Sequence, residues 1–407
     1  MPWRLDASRP DHAAALAATP PTPEEAQRRL ASIRPTAYAQ TRNRLDGAVT
    51  RLSPYITHGL LPLSQALLTL HRRHHLAWGH TLIREFAWRA YFRHVWRHAG
   101  DTIFSSLGPG PLPDEIYADA LPDDVRRAGT GLAPVDQAVR TLYATGTLHN
   151  HARLWLASYL VHVRKVHWRI GADWMWAHLL DGDLASNHLS WQWVAGTASR
   201  KPYLFNSENV ARYAPAHWHC EGTALDVDYA ALEQLARSPQ TLDPPRQRGA
   251  GISPPAVFGT PPRDSGFDEP DPDAIAGRDV WLLHPWSLAS PPAGVSAIVL
   301  IDTDFHRRWP WSALRWAWLM GRLDGLDALR WAAPARDWSA ALARARTIRG
   351  VADPHLGTSG NLPGLHEPAP VFVEPAHPCA SFSAWWSRLG GYGPAIASLS
   401  SPLENTP

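Results

Sequence analysis

The chain has 407 residues, of which 45% are hydrophobic, so it can bury more than one core and we expect two domains. Its 39 basic and 37 acidic side chains leave a net charge of only +2, so any nucleic-acid binding must depend on a local basic patch. Two cysteines, Cys220 and Cys379, exclude a disulfide framework, and no apolar run is long enough to span a membrane, so we expect a cytoplasmic protein.

The first predicted elements are a loose tail at residues 1–21 and a helix that starts after Thr22. Thr22, Pro23 and Glu25 form the pattern of a helix start, in which a hydroxyl caps the first turn and proline takes its first position. Pro35 then ends this helix, because the residue before a proline avoids the helical conformation.

A short segment directly before Pro54 consists of Thr50, Arg51, Leu52 and Ser53. Its two hydroxyls, its backbone N–H groups and its guanidinium can together bind a diphosphate. An ordinary capped helix start is the alternative interpretation of the same residues.

Residues 82–98 form an amphipathic, aromatic-rich pattern that predicts a helix with one buried face. Glu85 and Arg89 lie four residues apart in this helix, a spacing that favours an ion pair between them.

Residues 148–168 are apolar nearly all round, which predicts a single helix in the core. Asn150 and Arg153 are the polar exceptions near its start, and buried polar groups must find hydrogen-bond partners. We therefore expect them to face a ligand or an oppositely charged side chain.

The run at residues 179–193, LLDGDLASNHLSWQW, is the most informative part of the sequence. It contains two acids, one amide and two tryptophans: Asp181, Asp183, Asn187, Trp191 and Trp193. Carboxylates beside apolar leucines need arginine partners or a ligand that donates hydrogen bonds, because a buried unpaired charge is costly. A polar turn with one acid as a helix N-cap is the simpler alternative.

Three potential metal ligands, His217, His219 and Cys220, follow close together. A structural zinc needs four ligands, and the sequence offers no fourth nearby. We therefore predict no metal site.

Composition divides the rest of the chain into three segments. Residues 236–278 are rich in proline, glycine and aspartate and predict a linker, residues 279–362 predict a small α/β domain, and residues 363–407 predict a proline-rich tail with one short helix near 382–389. Within the α/β segment we expect strands at 280–286, 297–305 and 327–333 and helices at 309–323 and 338–348. Alternation of strands and helices predicts a Rossmann-like parallel sheet.

Asp302 and Asp304 follow the second predicted strand and suggest a Mg²⁺-dependent phosphotransferase as one functional hypothesis. The favoured interpretation is that they are ordinary acids in a loop at the end of a strand.

The run at residues 179–193 resembles the flavin-binding core DGDxASNxxxWQW of the photolyase and cryptochrome family. Four further segments resemble that family, so the resemblance covers roughly residues 38–215. It implies an all-α FAD-binding domain over residues 22–235. The α/β segment at 279–362 resembles the antenna domain of photolyases, although there it precedes the FAD domain.

The resemblance implies FAD as the cofactor and assigns residues to its site. The cofactor-binding residues that it implies are Tyr38, Thr50, Arg51, Leu52, Ser53, Glu85, Arg89, Asn150, Arg153, Asp181, Asp183 and Asn187. Arg153 and Asp181 are expected to form an ion pair, and Asn187 is expected beside the flavin N5. Electrons are expected to pass through Trp191 and then Trp168 toward solvent, with Tyr117 as a stand-in for the third family tryptophan.

The activity that the resemblance implies is blue-light-driven repair of flipped pyrimidine dimers in DNA by electron transfer from reduced FAD. The implied catalytic residues are Glu85, Trp88, Asn150 and Trp193, and the implied DNA-binding residues are Arg42, His151, Arg200 and Lys201. A cryptochrome-like light or redox sensor is the alternative, because the substrate rim departs from the family at Leu82, Thr147, His151 and Leu154. We expect a monomer in which cutting the linker leaves an N-terminal fragment that keeps its flavin.

Overall fold

The computed structural model describes residues 10–242, 251–360, 362, 364–368 and 370–389. The predicted tail and linker residues at 1–9, 243–250 and 390–407 lie outside this part. Within residues 10–242 the helices are α1 Pro10–Ala18, α2 Pro23–Ser32, α3 Pro35–Thr41, α4 Ser53–Thr57, α5 Leu63–His74, α6 Thr81–Ala99, α7 Asp123–Arg126, α8 Ala133–Thr145, α9 Asn150–Ser158, α10 Trp168–His178, α11 Leu184–Ala195, α12 Ser207–Tyr213 and α13 Tyr229–Ala236. No helix in the described ranges is long and apolar enough to cross a membrane.

The remaining elements confirm a small α/β unit after the helices. Its strands are β1 Val257–Phe258, β2 Asp279–Leu283, β3 Ser296–Asp302, β4 Trp311–Ser312, β5 Leu329–Ala333, β6 Thr347–Val351 and β7 Leu365–His366. Its helices are α14 Thr303–Arg308, α15 Ala313–Leu323, α16 Ala335–Leu342 and α17 Phe382–Arg388.

Several predicted helix boundaries are confirmed by their capping geometry. The hydroxyl of Thr22 accepts a hydrogen bond of 3.2 Å from the backbone N–H of Glu25, with Pro23 in the first turn of α2. α6 spans nearly the predicted range and buries Phe86 and Tyr91. α17 lies at the predicted short helix of the tail. The start of a helix and its buried face both depend on residues within one or two helical turns. Such features can therefore be predicted from the sequence.

The amino-terminal segment is helical at Pro10–Ala18, where a loose tail is predicted. Alanine has the highest helix propensity, and the helix buries Ala15. The indole N–H of Trp318 in α15 donates to the carbonyl of Thr19 at 2.8 Å. The tail prediction fails because the tertiary partner of this segment lies some 300 residues away in the chain.

The single core helix predicted at residues 148–168 is wrong. α9 continues as a π-helical turn at Tyr159–Val163, and α10 then begins at Trp168. Lys165 adopts a left-handed φ of 52°, and its ammonium donates to the carbonyls of His162 and Leu235 at 2.7 and 2.6 Å. These contacts stabilise the break, and hydrophobic periodicity does not reveal them.

Two helices predicted in the α/β unit are also wrong in extent. The helix predicted at 309–323 begins only at Ala313 as α15, because residues 311–312 form β4 and Ser312 caps the helix. The strand predicted at 297–305 ends at Asp302, where α14 begins. The end of the helix predicted at 338–348 is instead the start of β6, which pairs with β2.

The main sheet has five parallel strands in the order β5-β3-β2-β6-β7. The chain moves outward from β2 through β3 to β5 and then returns to the other side of β2. After β2 the chain continues to β3 on one side, and after β6 it continues to β7 on the other side, so a switch point lies between β2 and β6. Parallel sheets ordinarily bind ligands at such a point, beyond the carboxyl ends of the strands.

The helical part and the α/β unit share one hydrophobic core. Trp176 and Leu184 of the helices lie in the same buried cluster as Leu283, Trp286 and Trp311 of the α/β unit. The predicted linker is also partly ordered, since β1 pairs with β4. This shared core disagrees with the expectation of a helical domain that folds and keeps its cofactor alone.

Candidate functional site

One cavity of about 540 Å³ brings together side chains from widely separated stretches of the chain, and its size is typical of a ligand site. The predicted cofactor-binding residues that line it are Tyr38, Thr50, Ser53, Glu85, Arg89, Asn150, Arg153, Asp181, Asp183 and Asn187. Other predicted functional residues that line it are Arg42, Trp88, His151, Trp191 and Trp193. The predicted residues that do not line it are Arg51, Leu52, Tyr117, Trp168, Arg200 and Lys201.

The first acid of the DGD turn forms the expected ion pair. Arg153 donates from Nη2 to both carboxylate oxygens of Asp181 at 2.9 and 2.8 Å, and from Nε to the carbonyl of Leu148 at 2.8 Å. Burial acts to raise the pKa of Asp181, but Arg153, a hydrogen bond from Ser53 and the charge of Arg89 together hold the pKa below the ordinary value. The cavity wall therefore carries a carboxylate that pairs directly with Arg153.

The second acid is held entirely by the protein. Asp183 Oδ1 caps α11 by accepting from the backbone N–H and hydroxyl of Ser186 at 2.9 and 2.7 Å. Its Oδ2 accepts from Arg89 at 3.1 Å and from Arg93 at 2.9 Å. These four bonds use the accepting capacity of the carboxylate. Burial acts to raise the pKa of Asp183, but the two arginines hold it well below its usual range.

Arg93 was not predicted as a residue of the site, and the predicted pair of Glu85 with Arg89 is wrong. Arg93 lies one turn beyond Arg89 on the same face of α6, and this i,i+4 spacing is the only local indication of its role. Glu85 forms its ion pair with Arg42 at 2.8 Å rather than with Arg89. The reason is tertiary, since Asp183 on the neighbouring helix attracts both arginines of α6.

Replacing Asp183 with asparagine should destabilise the fold strongly. The change leaves Arg89 without its carboxylate partner and Arg93 with only one, and breaking a buried ion pair in this way costs about 3–5 kcal/mol. The exposed pair of Asp46 with Arg44 provides a matched control, for which Asp46→Asn should cost less than about 1 kcal/mol. Urea unfolding of both variants measures the difference, and equal losses would contradict the role assigned to Asp183.

The mouth of the cavity combines an acid with aromatic rings. Burial raises the pKa of Glu85 above its ordinary value. Trp193 is 39% exposed, whereas Trp88 stacks on Phe382 of α17 with ring centroids 4.0 Å apart. One face of Trp88 is therefore covered by the C-terminal helix, a contact that the sequence does not reveal.

The deeper wall contains Trp191, which is only 3% exposed. Gly171 of α10 makes room for it, because a Cβ at that position would lie 2.3 Å from the indole ring. Asn187 donates from Nδ2 to the carbonyl of Ala172 at 2.8 Å, which fixes the orientation of its amide. Trp168 is 2% exposed, so the expectation that it lies toward solvent is wrong. Its indole packs in the hydrophobic core of the helical part, and the indole N–H donates to the hydroxyl of Ser106 at 3.0 Å.

The segment at residues 50–53, which could bind a diphosphate, contributes to the lining of two cavities. Thr50 lines the 540 Å³ cavity and a second polar cavity of about 530 Å³, which Arg51 also lines. Arg51 has a left-handed φ of 53°, and its carbonyl accepts from Arg29 at 3.0 Å. Leu52 is fully buried and serves packing. Arg51 and Leu52 therefore do not reach the main cavity with their side chains.

Two candidate sites lie outside the main cavity, namely the cluster of histidines and cysteine at 217–220 and the acids that follow β3. No group of three potential metal ligands is close enough to hold an ion within the described residues. Asp302 caps α14 by accepting from the backbone N–H of Asp304 at 2.9 Å, and Asp304 itself pairs with Arg307. These contacts match the interpretation of both acids as residues at a strand end.

Comparison with known proteins identifies the helical part. Residues 82–217 match a family model described as the FAD binding domain of DNA photolyase. A deoxyribodipyrimidine photo-lyase of Streptomyces griseus is 35% identical over 153 residues, which cover 37% of this chain and 33% of that protein. A cryptochrome DASH of Gloeobacter violaceus is 33% identical over 197 residues, which cover 45% of this chain and 39% of that protein.

Solved structures show a partial similarity as well. A class III photolyase from Agrobacterium tumefaciens has 23% identity and a TM-score of 0.44, with 56% of this chain and 57% of that chain covered. The chain spans less than half of the length of the two curated relatives described above. The family match and the sequence identities together show that residues 82–217 are an FAD-binding domain of the photolyase and cryptochrome family.

Proposed function

We propose that the protein binds FAD in the 540 Å³ cavity and uses blue light to repair pyrimidine dimers in DNA. The observation that carries this proposal is the composition of one cavity, which has a charged inner wall and a mouth with an acid and an exposed tryptophan. The wall suits a large polar cofactor, and the mouth suits a nucleobase pair.

The inner residues fit FAD by their chemistry. Met175, Leu179 and Trp191 offer apolar contacts for a flat ring, while Thr50 and Ser53 offer hydroxyls for phosphate oxygens. The Arg153–Asp181 pair offers both a donor and an acceptor, and the amide of Asn187 is already oriented by Ala172. FAD, when bound, supplies light-driven one-electron transfer.

The residues at the mouth act on the substrate in this proposal. Burial raises the pKa of Glu85, so it takes up a proton more readily than an exposed glutamate, and in that form it can donate a hydrogen bond to a base carbonyl that gains negative charge. The exposed ring of Trp193 can stack on a base flipped out of the duplex. In its ionised form Glu85 pairs with Arg42 at 2.8 Å, which holds the side chain at the mouth of the cavity before it takes up a proton.

A repair assay tests the proposal directly. FAD-loaded protein is mixed with an oligonucleotide that carries one cyclobutane thymine dimer, and restored thymines are counted after blue light and after darkness. We expect restoration only in the light, and a slower rate for Glu85→Gln at unchanged flavin content. Dimers that stay intact while the bound flavin is photoreduced would contradict repair.

That last outcome would favour a second candidate function, a light or redox sensor of the cryptochrome type. Its structural support is the stacking of Trp88 on Phe382, which connects the cavity mouth to α17. The substitutions at the rim, such as Leu82 and Leu154 in the cavity lining, favour the same candidate.

Removing the ion pair of the inner wall should yield protein without flavin. We expect the double change Arg153→Ala with Asp181→Ala to abolish FAD retention, because it removes the donor and the charge described above. The pair of Arg164 and Asp124, 2.8 Å apart and outside the cavity, is the matched control. The absorbance of purified protein near the flavin band measures occupancy, and full occupancy in the first variant would disprove the assignment.

Trp191 is expected to supply electrons to the oxidised cofactor. Trp191→Phe keeps an aromatic ring but removes the easily oxidised indole, so photoreduction with an external reductant should slow severely while FAD stays bound. Trp338→Phe, a buried tryptophan of the α/β unit, is the control. Beyond Trp168, the ring centroid of His167 lies 5.7 Å from that of Trp168, and the ring centroid of Tyr117 lies 6.3 Å from that of His167. This series of rings supports Tyr117 as the outer member of the electron-transfer route. An unchanged rate in Trp191→Phe would exclude this route.

A further inference from the structure

We infer that Arg315 and Asp353 of the α/β unit are positioning residues that hold the turn at Asp181, Gly182 and Asp183 in its ligand-binding geometry. The inference rests on the proposed function, in that FAD is taken to occupy the cavity that this turn lines. It makes the α/β unit a working part of the cofactor site rather than an appended domain.

Arg315 reaches the turn from α15 and is completely buried. Its Nη1 donates to the carbonyl of Trp176 at 2.8 Å, and its Nη2 donates to the carbonyl of Gly182 at 2.7 Å. The guanidinium also packs against two indole rings, 4.4 Å from the centroid of Trp176 and 4.0 Å from that of Trp311. These ring contacts and the two hydrogen bonds together fix the planar group in one orientation.

Gly182 and Arg315 fit together closely. A Cβ at Gly182 would lie 2.5 Å from Nη1 of Arg315, so the glycine between the two acids is needed for this approach. The described contacts of Arg315 include no direct ion pair with a carboxylate, and its charge is balanced across the turn by Asp181 and Asp183. Backbone position and charge balance at the turn therefore both depend on this one side chain.

Asp353 holds the other side of the turn through Arg93. Arg93 bridges the two acids, with Nη1 at 2.8 Å from Asp353 and Nη2 at 2.9 Å from Asp183. His355 supports Asp353 with a contact of 2.6 Å from its Nδ1. Its Nε2 accepts from the backbone N–H of Leu184 at 3.1 Å, so the ring proton lies on Nδ1 and points at Asp353.

The location of Asp353 explains how the α/β unit can hold the turn at residues 181–183. Asp353 and His355 follow β6, and His284 and Pro285 follow β2, so these loops form the crevice at the switch point of the sheet. Parallel sheets bind ligands in that crevice. Here the crevice receives Arg93 and the start of α11 from the helical part.

The main test compares two arginines of the same helix. Arg315→Met removes the donors to the turn, and Arg322→Met removes a buried arginine that donates to Leu288 at 2.9 Å, away from the cavity. In flavin-free full-length protein, hydrogen exchange of residues 179–187 should accelerate roughly tenfold or more in Arg315→Met only. The Kd for added FAD should rise by roughly tenfold or more, with partial recovery in Arg315→Lys.

The outcomes separate this inference from the proposed function. Unchanged hydrogen exchange of the turn in folded Arg315→Met overturns the inference, whether or not the parent protein binds FAD. Equal effects of both methionine variants would also overturn it, because general destabilisation would then explain them. If Arg315→Met does not fold, Asp353→Asn is compared in the same way with Asp124→Asn, whose partner Arg164 lies outside the cavity. No repair by a parent that binds FAD would refute only the proposed function.

Discussion

Lowering the pH from 7 to 5 should destabilise the protein by several kcal/mol, because histidines buried in the neutral form cannot accept protons while the chain is folded. Burial lowers the pKa of His162 to about 4 and those of His178 and His306 to about 3. The Nδ1 atoms of His162 and His178 are buried without a hydrogen-bond partner, so a proton added there would be unsatisfied.

The direction follows from proton binding. Below an unfolded pKa of about 6.5 the unfolded chain takes up protons that the folded protein cannot, so stability is complete above that pH and falls toward pH 4. Each such histidine contributes about 1.4 kcal/mol per pH unit, so the three together remove about 6 kcal/mol between pH 6.5 and 5. A loss of that size is comparable with the whole stability of an ordinary domain, about 5–15 kcal/mol.

Urea unfolding between pH 5 and 8 measures this dependence. The variant His178→Asn cannot titrate at this position and should lower the slope by the contribution of one histidine, about 1.4 kcal/mol per pH unit. A midpoint that is constant down to pH 5 would show that these histidines titrate normally in the folded protein.

A chain that ends at residue 242 should fail to fold stably and should not retain FAD. Four aromatic side chains of the helical part lose neighbouring rings from the rest of the chain: Tyr55, Trp78, Phe104 and Trp176. At about 1.5–3 kcal/mol for each large apolar side chain returned to water, the loss reaches about 6–12 kcal/mol. The truncated chain also loses Arg315 and Asp353.

Co-expression of residues 1–242 with residues 251–407 as separate chains is the control. We expect the two pieces to associate and to bind FAD together, because their contacts do not require a peptide bond between them. Flavin absorbance after gel filtration measures this. A soluble fragment 1–242 that binds FAD alone would restore the interpretation of two independent domains.

The sequence predicts those features that depend on near neighbours in the chain. The start of α2 and the extent of α6 follow from capping residues and periodicity. The run at residues 179–193 supplied the acids of the site because its members lie within four turns of one another. The parallel sheet was predictable from the alternation of strands and helices. Strand β6 was not predictable, because it is short and mostly exposed or half-buried, and no glycine or proline separates it from the preceding helix α16.

The missing parts of the site are all distant in sequence. Arg93 binds Asp183 across 90 residues, and Arg315 binds Gly182 across 133 residues. No spacing rule relates such pairs, and a buried arginine looks like a surface arginine in a sequence. The single helix at 148–168 failed for the same reason, since Lys165 finds Leu235 across 70 residues.

The shared core has a consequence for how the protein is made on the ribosome. The helices that surround the cavity are synthesised first, but Trp286, Trp311 and Arg315, which close the core behind them, leave the ribosome later. Until then the growing chain exposes large apolar side chains such as Trp176, and such intermediates aggregate readily. Cofactor loading is therefore expected to follow release of the chain, and cells that overproduce the protein should need chaperones more than added riboflavin.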